Sequence, residues 1–344
     1  MKKFLHFGII GCGKIFDRHA ESLIKIPEAK LVAASDINGE RLKEIEKQYS
    51  IPHTYKNYID LIESKEIDVV VICAPSGLHS LLSLSALKAG KHVLCEKPMA
   101  LNVADAKKMN DVAREQKRSL FEVKQNRYSP AIRELKSAID KGLLGKILMG
   151  NITVRWNRPQ DYYDSNDWYG TMSMDGGVVL NQAIHHIDLL QWMLGKPVSV
   201  VAKTAILNHA IEAPDTALAI LQFENNIFGN MEITTCAALK NIEGSITILG
   251  DKGTVKVGGN NLNVFDIWEV SGLQKPELED SKKYLTNHCQ LYQDIVKFLL
   301  HKKNIASLIT GSEGLKSLLI AESIFLSSKT RTEIFIDYDA ANIR

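Results

Sequence analysis

Apolar and polar positions follow two different rhythms along this chain, and the change falls near residue 125. Before it, short apolar runs alternate with stretches of helical period. LHFGII (5–10) is an apolar run ended by glycines, and a helical stretch follows from Lys14 to Lys25. KLVAAS (30–35) is the next strand, and Asn38 to Gln48 reads as a charged amphipathic helix. DVVVIC (68–73) is continuously apolar, as expected of a strand buried on both faces of a parallel sheet. A helix from Leu78 to Ala89 stops at Gly90, KHVLCE (91–96) is a strand, Asn102 caps a helix running to Gln116, and SLFEVK (119–124) is a strand. Repeated units of this kind predict a doubly wound parallel sheet.

After residue 125 the rhythm changes. One helix runs from Pro130 to Lys141 and stops at Gly142. Long strands of alternating polarity then occupy 147–156, 197–206, 215–224, 227–235 and 243–250, with turns at Asn225-Asn226 and Asp251-Lys252-Gly253. A helix from Val178 to Leu194 interrupts them. Such alternation predicts a large, mainly antiparallel sheet with one face covered and one open, and an open face suits a homodimer or homotetramer interface. The tail predicts helices over 285–301 and 312–328 and a strand over 333–337. The fold class is therefore α/β: a Rossmann domain over 1–124 and an α+β substrate-binding and oligomerisation domain over 125–344.

Composition fits this picture. The 344 residues are 45% hydrophobic and 24% charged, ample for two cores. Net charge is +2, from 42 basic and 40 acidic residues, so nothing global favours nucleic acid or an anionic membrane. The N-terminal apolar run enters a glycine turn directly, unlike a secretory signal, and no stretch approaches the roughly 18 apolar residues of a membrane span. A cytoplasmic protein is the expectation. Cysteines 12, 73, 95, 236 and 289 are scattered without metal spacing, which predicts free thiols and no metal site.

The chemistry concentrates in three places. The first is GIIGCGKIF (8–16), where Gly11 and Gly13 take the first two positions of GxGxxG and Phe16 takes the third. Strand before, helix after, and Asp36 at the end of the second strand make this a dinucleotide turn rather than a mere tight turn. Asp36 would accept hydrogen bonds from a ribose 2′-hydroxyl, and no arginine follows it at once, so NAD is expected over NADP. The second is Glu96-Lys97-Pro98 at the carboxyl end of a strand, where a lysine could bind a hydroxyl or move its proton. The third is DGGVVLNQAIHHIDLLQW (175–192). On a continuous helix, Asn181, His185 and Asp188 share a face at i, i+4 and i+7, with His185 a candidate base and His186 pointing elsewhere.

This ordered set resembles the glucose–fructose oxidoreductase/inositol dehydrogenase/rhizopine-catabolism (Gfo/Idh/MocA) family, over essentially the whole chain. The resemblance implies NAD-dependent sugar oxidation with Lys97 and His185 as catalytic residues. The family's catalytic Asp position holds Asn181, an amide that cannot accept a proton at neutral pH, so the base would be Lys97 or His185. The resemblance implies cofactor contacts at Gly11, Cys12, Gly13, Lys14, Ile15, Asp36, Ala74, Pro75, Ser76, His79, Glu96, Lys97 and Gln125; Ser76 stands where Asn is frequent. Trp156, Arg158, Tyr162-Tyr163, Trp168-Tyr169-Gly170-Thr171 and Asn181-Gln182 further resemble the WlbA/WbpB-type subgroup, which oxidises C3 of UDP-N-acetylglucosaminuronic acid in bacterial surface-polysaccharide synthesis. That implies substrate contacts at Lys97, Arg127, Arg155, Arg158, Tyr163, Trp168, Thr171, Asn181, Gln182 and His185, the arginines serving carboxylate or diphosphate. Another sugar or inositol dehydrogenase is the enzyme alternative. A cofactor-binding regulator is the non-enzyme alternative, which the retained lysine and histidine disfavour.

Overall fold

The computed structural model describes residues 3–259, 261–278, 287–303, 305 and 307–338. In chain order the elements begin β1 (Leu5–Ile10), α1 (Phe16–Ile24), β2 (Ala29–Ser35), α2 (Gly39–Tyr49), β3 (His53–Tyr55), α3 (Tyr58–Glu63), β4 (Val69–Ile72), α4 (His79–Lys88), β5 (His92–Cys95), α5 (Val103–Glu115) and β6 (Leu120–Glu122). There follow α6 (Pro130–Asp140), β7 (Ile147–Arg155), α7 (Gln160–Asp164), a π-helical turn (Val178–Gln182), α8 (Ile184–Leu194), β8 (Pro197–Ala205), β9 (Thr216–Phe223), β10 (Ile227–Thr234), β11 (Glu243–Gly250), β12 (Gly253–Gly258), β13 (Val264–Val270), α9 (Asn287–His301), α10 (Gly311–Thr330) and β14 (Ile334–Phe335).

The chain divides into two compact units. The first is a six-stranded parallel sheet in the order β3-β2-β1-β4-β5-β6, the doubly wound arrangement expected. Its central strands are fully buried, with Val69 to Ile72 all at 0% exposure, so an unbroken apolar run is what the position requires. β3 and α3 fall outside the predicted elements because HTY is a short, largely polar edge strand with no apolar period to reveal it. The unit's boundary falls at Gln125, but it also takes in α9 from far downstream. α9 packs on α1: Tyr292 meets the edges of Phe7 and His19 at centroid distances of 5.6 and 5.8 Å. The predicted start of that helix at 285 lies outside the described residues.

The second unit holds an eight-stranded sheet in the order β13-β12-β11-β7-β10-β9-β8-β14. Every pairing is antiparallel except β10 with β7. The buried residues of α8 cover one face, with Leu190 standing against Gly150 of β7 and Gly229 of β10. The other face carries Val201, Leu218, Ile220 and Phe228, each at least half exposed. Alternation made this open face legible. The strands β12 and β13 extend it beyond the strands delimited from sequence.

One prediction concerns a histidine in this core. His186 is 2% exposed, stands edge-on to Trp156 at 5.7 Å, and neither ring nitrogen has a hydrogen-bond partner among the described residues. Burial lowers its pKa from 6.5 to about 4. Above that window neither state is charged; as pH falls through it, the unfolded chain takes the proton first and folding stability drops. His92 and His288, also lowered to about 4 by burial first of all, act in the same direction. Urea midpoints measured from pH 7 to 4 should fall. His186→Leu should lose stability at pH 7 but show a shallower fall, by about 1.4 kcal/mol per pH unit at most. An unchanged pH slope in that variant refutes the assignment.

Candidate active site

Every cofactor candidate lies at the carboxyl edge of the parallel sheet, where strand ends leave a crevice. Gly11 turns the chain after β1 at φ 93°, and a Cβ there would sit 2.6 Å from the backbone at Cys73 and Ala74. Glycine is obligatory on both counts. Gly13 differs: a Cβ there would meet nothing within 4 Å. It opens onto a pocket lined by Cys12, Gly13, Lys14, Asp17, Asp36, Asn38 and Arg41. Ile15 caps α1, whose N-terminal dipole favours an anion such as a pyrophosphate. Asp36 is pre-oriented, its two oxygens accepting from the backbone N–H groups of Cys12 (2.7 Å) and Asn38 (2.8 Å). A shaped, open cradle at Gly13 beside an anchored carboxylate fits a pyrophosphate and a ribose hydroxyl.

Ala74 and Pro75 follow β4, and Ser76 starts the short turn that leads into α4. His79 is buried and holds this loop through its own ring: Nε2 lies 2.8 Å from the Ala74 carbonyl and Nδ1 2.7 Å from that of Pro98. Both nitrogens face backbone carbonyls; burial lowers the pKa of the ring, and a neutral imidazole donates its one N–H to one of the two, so His79 ties a loop down rather than reaching for a ligand. Gln125, in the turn after β6, has a buried side-chain oxygen with no partner among the described residues.

Glu96 is also inward-facing. Its carboxylate accepts from the Lys97 backbone N–H at 3.0 Å, and its other oxygen lies 3.0 Å from His19 Nε2. His19 Nδ1 in turn meets the Tyr292 hydroxyl at 2.7 Å. Burial pushes the Glu96 carboxyl up, but the His19 hydrogen bond and the charges of His19, His288 and Lys97 outweigh it and hold the group well below the usual carboxylate range. The Lys97–Pro98 peptide is cis. Lys97 lies between two contacts: Glu96 accepts from its N–H, and His79 meets the carbonyl of the following Pro98.

In the second unit the segment 175–192 departs from the sequence reading. Gly176 and Gly177 both take positive φ, and the helix then opens with a π turn before α8 begins. The extra residue per turn breaks the i, i+4, i+7 face. Asp188 is 1% exposed and accepts two hydrogen bonds from Arg127, itself 2% exposed, at 2.7 and 2.8 Å. Asn181 instead donates its side-chain amide to Asp175, which also accepts from the Gly170 and Gly177 N–H groups. The buried Asp175 thus fixes the amide's orientation. His185 sits in the first turn of α8 at 8% exposure, close to Asn181 in sequence.

The three arginines separate by their partners. Arg127 is committed to Asp188, a structural pair in place of the anion ligand expected. Arg155 is bonded to Glu232 and Glu243. Arg158 has no carboxylate partner among the described residues. It donates to the Gln182 side-chain oxygen at 3.2 Å and to Asn157 and Asn241, and lies over the Trp156 and Tyr162 rings at 5.2 and 5.4 Å. Tyr162 stacks on Tyr169 at 4.8 Å, and Trp168 meets Tyr169 edge-on. The Tyr163 hydroxyl is spent on Thr235, and the Thr171 hydroxyl on the Trp168 carbonyl. Sequence reasoning placed Tyr162 and Asp175 in the resembling motifs without giving either a role, and it missed Asp17 and Arg41. The Asp175-Gly-Gly run was visible, but its link to Asn181 needs the π turn.

All five cysteines are free. Two groups of possible metal ligands occur among the described residues, His19–Glu96–His288 and His209–Asp215–Cys236. In each, the histidine and carboxylate are hydrogen-bonded to one another.

A Rossmann unit with a glycine turn opening onto a pocket beside an anchored carboxylate, followed by an α+β unit carrying polar and aromatic groups, is the build of a nicotinamide-dependent oxidoreductase. Residues 5–123 match the oxidoreductase family with an NAD-binding Rossmann fold, and residues 132–256 match the Gfo/Idh/MocA C-terminal domain. The chain belongs to the Gfo/Idh/MocA oxidoreductase family, and NAD is its cofactor. It is similar to the WlbA dehydrogenase of Bordetella pertussis, solved with NADH and UDP-GlcNAcA, at 35% identity and TM-score 0.91 over 98% of this chain and 99% of that one. It is similar to the WlbA dehydrogenase of Chromobacterium violaceum, with the same ligands, at 36% identity and TM-score 0.89 over 97% and 96%. Myo-inositol 2-dehydrogenase of Thermotoga maritima is 28% identical, over 92% of this chain and 94% of that protein. No described helix is long and apolar enough to cross a membrane.

The two glycines should respond differently to alanine. Gly13→Ala should melt like the parent yet bind NAD at least about tenfold more weakly, because the methyl enters only the ligand's space. Gly11→Ala should lose thermal stability as well, from φ strain and the clash with Cys73–Ala74. Calorimetric titration with NAD, beside thermal melts, distinguishes them. Full NAD affinity in Gly13→Ala would show that the cofactor does not approach this turn.

Proposed function

We propose that this enzyme oxidises the C3 hydroxyl of a UDP-linked N-acetylated hexuronic acid, in bacterial surface-polysaccharide synthesis. The observation that carries the reading is Arg158: a guanidinium without a carboxylate partner among the described residues, braced by Gln182 and flanked by Trp156 and Tyr162. An anionic sugar needs such a cation and aromatic walls. Likeness to the two WlbA dehydrogenases over nearly the whole chain supports the same substrate class.

NAD, held by the Gly11–Ile15 turn and Asp36, would supply the acceptor for a hydride from the sugar carbon. The protein's own share is orientation and proton handling. Lys97 or His185 takes the hydroxyl proton. Asn181, its amide fixed by Asp175, positions the sugar and carries no proton. Arg158 binds the carboxylate or diphosphate, and Trp168 and Gln182 complete the sugar's contacts.

Absorbance at the reduced-nicotinamide band, with purified protein, NAD and UDP-N-acetylglucosaminuronic acid, tests this, with 2-oxoglutarate in a parallel tube. The band should grow, or a 3-keto sugar should form in the tube with the 2-oxoacid. Lys97→Met should lower kcat at least about a hundredfold, far more than it lowers NAD affinity. Arg158→Met should raise KM with a lesser effect on kcat, whereas Arg127→Met should act on stability, by about 3 kcal/mol or more, through the stranded Asp188. Turnover of a free polyol and none of the nucleotide sugar would instead support an inositol-type dehydrogenase, the reading favoured by the Thermotoga maritima relative.

We also propose that a second copy of the chain covers the open sheet face, giving a homodimer or homotetramer. Light scattering should report a multiple of 38.4 kDa, reduced by Ile220→Lys/Phe228→Glu. A monomeric parent protein would end that proposal.

A further inference from the structure

The cofactor pocket contains a guanidinium that offers it little. Arg41, on the first turn of α2, lines the same pocket as Asp36 and Asn38. An arginine at the ribose end of a dinucleotide site is normally the residue that would accept a 2′-phosphate. Here its donors are committed elsewhere. Nε donates to the Cys12 carbonyl at 2.9 Å, Nη2 to both oxygens of Asp17 at 3.0 and 3.1 Å, and Nη1 to Glu44 at 2.8 Å. Asp17 is held in turn by the Tyr49 hydroxyl at 2.9 Å. The guanidinium fork, which would grip a phosphate through paired N–H groups, is thus turned to two carboxylates and a carbonyl. The charge count agrees. Asp17, Asp36 and Glu44 set three negative charges against the two positive charges of Lys14 and Arg41, a net of minus one where a 2′-phosphate would bring about two more.

We propose that Asp17 and Glu44 are specificity residues: by holding Arg41 they keep the pocket selective for a ribose 2′-hydroxyl over a 2′-phosphate, in addition to the direct acceptor Asp36. Selectivity then has two separable parts. Asp36 bonds the hydroxyl and repels a phosphate. The Asp17–Arg41–Glu44 clamp withholds the guanidinium that lines this pocket and could otherwise compensate. Removing Asp36 alone leaves a pocket that has lost its hydroxyl acceptor without gaining a phosphate donor.

Binding of NAD and NADP by calorimetry, with no turnover required, tests this in an Asp36→Ser background. Glu44 is exposed, so Glu44→Gln carries little risk to folding. Asp36→Ser/Glu44→Gln should bind NADP at least about threefold more tightly than Asp36→Ser, with NAD unchanged within about twofold. Adding Asp17→Asn should extend the gain to about tenfold, the value of one charge-assisted hydrogen bond. The gain should shrink at high salt, and Arg41→Ala should abolish it. Equal changes in NAD and NADP affinity, no gain for NADP from Glu44→Gln, or a gain that survives Arg41→Ala would each overturn the proposal. Should the Asp17 variant fail to fold, the Glu44 and Arg41 variants still decide it.

Discussion

The buried carboxylate of Glu96 is the constraint from which the cofactor-binding unit takes its order. One oxygen fixes the peptide of Lys97 and the other engages His19, which is backed by Tyr292 from the far end of the chain. A charge in this interior persists only because it is bonded and balanced; removing either partner would leave it stranded. Strand β5, helix α1 and helix α9 therefore cannot drift independently. The lysine side chain projects from a backbone whose position three elements decide, the rigidity that the proton-handling role proposed for it requires.

The second unit repeats the device with a different carboxylate. Asp175 accepts from two backbone N–H groups and from Asn181, so an acid that could itself have titrated serves as an anchor. That arrangement gives meaning to an amide where the family commonly has an acid. The chain keeps a carboxylate nearby but spends it on geometry, leaving Lys97 and His185 as the candidate proton carriers.

Most of the architecture could be read from hydrophobic rhythm, because a parallel core and a half-open sheet have different periods. The failures have local causes. The edge strand at 53–55 has no apolar signature, and the helix at 178–194 hides a π turn that leaves composition and spacing unchanged. Candidate positions were legible where the geometry is set along the chain, as at the turn of Gly11 and Gly13 and the carboxylate of Asp36 that lines the same pocket. They were not where it depends on partners from elsewhere. Arg127, Arg155 and Arg158 look alike in sequence, and only their carboxylate neighbours, or the lack of one among the described residues, tell them apart. Arg41 escaped notice because its clamp joins α1 to α2 across 24 residues.

The late return of α9 bears on how the protein is made. The parallel sheet is complete in sequence by residue 122, yet the ring that meets Phe7 and His19 belongs to Tyr292. A nascent chain stopped at Gln125 has all six strands and none of that cover. The nucleotide-binding unit is thus closed only after seven of the eight strands of the second sheet, β7 to β13, have emerged from the ribosome, and neither unit is one continuous stretch of the gene.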